Sequence, residues 1–161
     1  MYRTAIIFLL FAFVGCQNGN ADLCHRFFHP YPDLISQRLR TGQNKDLVDA
    51  MRLYSQGKFE EAVEGLQAFA HDHPQEADAA WFYSANCYLA LGRPYDAELQ
   101  LDFVENWPGR TYSDETEWYS ALCLLCSSQF DRARVAAHNI AIQQRHTYRE
   151  QATTLEKDLT P

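Results

Sequence analysis

From residue 43 onward, apolar side chains return at steps of four and three, as in Ala62-Leu66-Phe69, Ala97-Leu101-Val104 and Ala133-Ala137-Ile140. Such steps put each trio on one face of a helix. Trp81, Ala85 and Tyr88 repeat the spacing with bulkier residues. Between these segments stand Gly57-Lys58 and Gly92-Arg93-Pro94, where glycine ends one helix and proline opens the next. His73-Pro74-Gln75-Glu76, Trp107-Pro108-Gly109 and Ser113-Asp114-Glu115 add further stops and starts. The pattern predicts helices near 43–56, 58–71, 76–91, 94–106, 113–127 and 130–143, and a seventh near 146–158 with Tyr148, Ala152, Leu155 and Leu159 on one face. No stretch reads as a strand, so the expected fold class is all-α.

The helices come in repeats. Tyr83-Ser84-Ala85-Asn86-Cys87-Tyr88-Leu89 recurs as Tyr119-Ser120-Ala121-Leu122-Cys123-Leu124-Leu125, five identities of seven at an offset of 36. Ala50, Gly57, Ala62 and Leu66 match Ala85, Gly92, Ala97 and Leu101 at an offset of 35. Three copies of one helical hairpin result, and neighbours in such an array bury faces that one hairpin alone leaves exposed.

The unit resembles the tetratricopeptide repeat. The first copy carries Leu53, Gly57, Phe59, Ala62, Leu66, Phe69 and Pro74, and Gly57-Lys58-Phe59-Glu60-Glu61-Ala62 is similar to that family's most typical string. The second carries Trp81, Ala85, Tyr88, Gly92, Ala97, Leu101 and Val104, with Tyr95 one residue late and Pro108 one early. The third has Ser128 where glycine is usual and lacks a closing proline. The resemblance implies a short right-handed solenoid of about three hairpins over 43–160, the last helix capping the array. It also implies a groove lined by first helices, with Tyr54, Ser55, Phe82, Asn86, Trp118 and Leu122 as its partner-binding residues. Asparagine at the Asn86 position often holds a peptide backbone in that family.

The opening is different. Arg3 precedes an apolar run from Ala5 to Val14 that stops at Gly15-Cys16. About ten residues is half of what a bilayer-spanning helix needs and suits a secretion signal. Phe13-Val14-Gly15-Cys16 resembles the lipobox of bacterial lipoproteins, which implies a signal peptide at 1–15 and lipid on Cys16. An uncleaved signal anchor and ordinary secretion are the alternatives. Gln17 after the cysteine favours the outer over the inner membrane by the same resemblance. Residues 16–24 then read as a lipid-anchored tether, and 25–42, with Phe27, Phe28, Tyr31 and Leu34, as a segment packing on the first repeat.

Charge and chemistry narrow the function. Fourteen Lys and Arg against 21 Asp and Glu give −7, the wrong sign for a chain that neutralises phosphates, and nucleic acid is not an expected partner. Fifteen acidic and four basic residues lie between Asp46 and Glu117, so the acidity belongs to the repeats. It reads as a solvated face or as a surface that steers a basic partner. Cys123-Leu124-Leu125-Cys126 has thioredoxin-like spacing but sits late in a helix, and both thiols read as small buried hydrophobes. Cys24 has several possible disulfide partners. Cys24, His25 and His29, or His71 and His73, fall short of a four-ligand zinc set. No nucleophile-elbow, zinc-protease or phosphate-loop motif is present. No catalytic residue, cofactor or metal is assigned. The expected function is a non-catalytic scaffold or adaptor for another envelope protein. Its alternatives are a binding module for an extended peptide or glycan and a thiol redox helper using Cys123 and Cys126.

Overall fold

The computed structural model describes residues 18–160, which are helical with no strand among them. The eight helices are α1 (Asn18–Phe27), α2 (Lys45–Ser55), α3 (Phe59–Asp72), α4 (Asp78–Ala90), α5 (Pro94–Glu105), α6 (Ser113–Cys126), α7 (Phe130–Ala141) and α8 (Arg149–Asp158). Each of α2 to α7 packs on the next in sequence, and α1 packs on α6. The lipobox and Cys16 lie outside the described residues.

Three helix ends share one construction. Gly57 and Gly92 have φ of 73° and 69°, and Ser128 takes the same left-handed conformation at 62°. At each, the following amide reaches back to a carbonyl five residues earlier: Lys58 to Leu53, Arg93 to Tyr88 and Gln129 to Leu124, at 3.0, 2.8 and 2.9 Å. This double-bonded stop satisfies carbonyls that the helix leaves free. The repeat offset read from the sequence is therefore also an offset in backbone conformation.

The core follows the small-residue positions. Ala62, Ala97 and Ala133 are fully buried, as are Ala85 and Ala121. Where α2 meets α3, a Cβ on Gly65 would come within 2.9 Å of Ala50 Cβ, so the absence of a side chain sets that close approach. α4 is buried from Phe82 through Leu89 without a break, because other elements cover every side of it.

Two expectations shift. The polar stretch read as a tether at 16–24 is helical from Asn18, as α1. Cys24 and Cys126 form a disulfide, and Arg26 meets Asp158 at 2.6 Å, so α1 is fastened to both α6 and α8. Segment 28–44 extends over α2, α4 and α6 and not over the first hairpin alone.

Candidate functional site

Residues His29-Pro30-Tyr31-Pro32 form an extended strap. Each proline restricts the residue before it to extended conformations, so His29 and Tyr31 favour this shape before they meet anything. The helices hold the strap by its main chain. Tyr119 donates its hydroxyl to the His29 carbonyl at 2.8 Å, Tyr54 to that of Tyr31 at 2.6 Å, and Tyr83 to that of Pro32 at 2.9 Å. Asn86 Oδ1 accepts the Tyr31 amide at 2.9 Å, while its Nδ2 donates to the Phe82 carbonyl one turn back in α4 at 3.0 Å. Tyr83 and Tyr119, matched in the repeat, perform the same task three strap residues apart.

Side chains complete the seat. The Tyr31 ring lies edge-on to Phe82, Tyr83, Tyr112 and Tyr119 at centroid distances of 5.0 to 6.4 Å, and Phe82 stacks on Tyr112 at 4.3 Å. Tyr31 Oη donates to Glu115 at 3.3 Å. Asp33 ends the strap by accepting the amides of Ile35 and Ser36, and Ile35 is 1% exposed. Burial raises the Tyr54, Tyr83 and Tyr119 phenols well above their usual range and brings Tyr112 to about 12. The Tyr54, Tyr83 and Tyr119 phenols therefore serve as neutral donors.

The six residues singled out for a partner groove can now be placed. Tyr54 and Asn86 bind the strap main chain, and Phe82 packs on Tyr31. Trp118 stacks on Tyr148 at 5.6 Å, Leu122 is fully buried and Ser55 is exposed. Five of the six are buried, and the extended chain on this face belongs to the protein itself. Tyr83 and Tyr119 were not singled out; their shared repeat position with a terminal hydroxyl was the available signal. An open cleft of about 460 Å³ remains beside the strap, walled by Pro30, Pro32, Trp118 and Tyr148 with Glu115 and Gln151 at its edge.

The cysteines resolve differently from the sequence reading. Cys126 was expected to be a buried hydrophobe and is instead half-buried in the bond to Cys24, because the final turn of α6 faces α1. Cys123 and Cys87 are free and buried; burial pushes the Cys123 thiol far above its ordinary value and that of Cys87 to about 12. Neither is a reactive thiolate. His71 lies beside Asp72 at the end of α3, and His73 stacks on Phe69 at 4.6 Å. Among the described residues no three His, Cys, Asp or Glu side chains cluster as metal ligands.

No family model, curated protein or solved structure matches the chain.

Proposed function

We propose that the protein is a non-catalytic scaffold or adaptor of a bacterial envelope, anchored through lipid on Cys16, with the outer membrane favoured over the inner. In this reading the helices from α2 to α7 are three tetratricopeptide-like hairpins in a right-handed solenoid, and α8 is its cap. The recurrence of one helix stop at Gly57, Gly92 and Ser128 supports the repeat. The observation that carries the function is how polar side chains are used. Tyr54, Tyr83, Asn86 and Tyr119 all hold the main chain of the protein's own extended strap, a contact of the kind that grips a peptide and not one that transfers a proton.

The test is capture of the tagged full chain from gently solubilised native membranes, with mass spectrometry of its N-terminus and of what co-purifies. A stoichiometric companion and a diacylglyceryl-modified Cys16 are expected. An unmodified N-terminus without a companion overturns both anchor and adaptor. A second reading, a binding module for an extended peptide or glycan, is favoured by the Trp118–Tyr148 stack beside the open cleft. Tryptophan fluorescence that no candidate ligand changes would dispose of it.

A further inference from the structure

With one face occupied by the strap, the place for a partner is found by comparing equivalent outward positions of the three second helices. In α3 these are Glu60, Glu64 and Ala68, and in α7 Asp131, Val135 and Asn139. In α5 they are Tyr95, Leu99 and Phe103, which are 65%, 53% and 47% exposed. The fold does not require apolar residues there, since its other two copies fill the positions mostly with polar or small side chains. Phe59 and Phe130 occupy an inward-facing position at which α5 has Pro94. The Tyr95 ring, one residue later, faces solvent.

The stripe continues into a second group of rings. Phe103 lies 5.3 Å from Trp81, which is 5.5 Å from Trp107, and both tryptophans are half-buried. Rigid, wide aromatic surface of this kind is what protein-binding hot spots are made of. A contiguous apolar patch also costs solubility unless something covers it.

Charge says what covers it. At about 100° per residue, Asp96 flanks the stripe on one side and Glu98 and Asp102 on the other. The equivalent positions in α7 hold Arg132, Arg134 and His138, so the sign is reversed between neighbouring copies. Asp96 is matched by Arg93, but Glu98, Asp102 and Glu105 have no ion-pair partner among the described residues. A partner that lays apolar side chains on Tyr95, Leu99 and Phe103 brings its flanks against carboxylates. We propose that the outer face of α5 docks a helical protein segment with apolar residues at helical spacing and Lys or Arg on either side. The proposal rests on the adaptor reading and names its surface.

The probe is a fluorescent lysine–leucine peptide with leucines at helical spacing. It is titrated by anisotropy against the full chain in phosphatidylcholine nanodiscs, with empty nanodiscs as the blank. The principal variant is Tyr95→Gln/Leu99→Gln/Phe103→Asn, which keeps the charge; Val135→Gln on α7 is its control, and circular dichroism checks that both fold. One saturable site is expected, weakened at least about tenfold in the triple variant, a loss typical of hot-spot truncation. It should also weaken with salt and in Asp102→Asn/Glu105→Gln, and be unmoved by Val135→Gln. Equal affinity for the triple variant overturns the proposal, because charge alone would then account for binding. A concentration-dependent dimer in sedimentation that the triple variant disperses overturns it in favour of a second copy. Probe failure while wild type and triple variant capture the same membrane companion overturns this surface and leaves the adaptor. Probe failure with no companion overturns both.

Discussion

Asn86→Ala tests how the strap is held. The side chain is fully buried, and its Oδ1 is the acceptor for the Tyr31 amide at 2.9 Å. Removing it leaves a half-buried donor without a partner, which costs about 1–3 kcal/mol, and the lost amide group adds a small void. Losing the second bond, Nδ2 to Phe82, costs little, because that carbonyl sits inside α4 and keeps its helical partner. Peeling the strap away to rehydrate Tyr31 would forfeit the hydroxyl bonds from Tyr54, Tyr83 and Tyr119, at about 1 kcal/mol each, and the Tyr31 ring contacts. The strap should therefore stay in place at higher energy, with a net loss of about 2–3 kcal/mol. Urea unfolding should show a lower midpoint with an unchanged slope, since the buried surface barely changes. Amide exchange should rise at Tyr31 relative to the buried amides of α4. A loss below about 0.5 kcal/mol, in the range of ordinary surface substitutions, with unaltered exchange at Tyr31 would refute this account of strap recognition.

Three further outcomes follow from other parts of the fold. Ser128 holds φ of 62° where the other copies have glycine, so Ser128→Gly should raise stability in urea by about 0.5–1 kcal/mol; a decrease would show that the Ser128 side chain has a role of its own. Cys24→Ser/Cys126→Ser deletes a cross-link spanning 102 residues and should cost about 3–5 kcal/mol against the oxidised wild type, whereas a loss below about 1 would mean that the bond barely constrains the unfolded chain. Burial raises the phenols of Tyr54, Tyr83, Tyr112, Tyr119 and Tyr148, so the unfolded state loses protons first as pH rises above about 10. Stability should be full below that pH and fall above it by about 1.4 kcal/mol per phenol per pH unit. Phenolate absorbance should then appear together with loss of helical circular dichroism; a gradual titration near pH 10 with the helices intact would contradict it.

The helices were legible because their information is local. Spacings of three and four, Gly57, Gly92 and Pro94 act within a turn or two, and the ends came within a few residues of 45–55, 94–105 and 130–141. What lay over the helices was not legible in the same way. The strap has no periodicity, and its contacts join Tyr31 to Asn86 and His29 to Tyr119, 55 and 90 residues apart. His29-Pro30-Tyr31-Pro32 announces an extended chain through its prolines, yet nothing local says where that chain lies. The pairing of Cys24 with Cys126 was hidden for the same reason, since it depends on where α1 docks. Repeats offer a way past this limit, because matched positions share a backbone environment, and a difference in residue type then isolates what the fold does not demand. At Tyr83 and Tyr119 the second and third copies agree and the hydroxyls meet the strap, whereas the first copy has Val48. At Tyr95 and Leu99 they disagree with Glu60 and Glu64 in one direction, toward exposed apolar surface with no ring or ion-pair contact to explain it, and at Phe103, where α3 has Ala68, the ring packs on Trp81 yet stays 47% exposed. Packing inside the fold favours neither choice at Tyr95 and Leu99, so the apolar residues there stand at a cost in solubility that the proposed helical partner would offset.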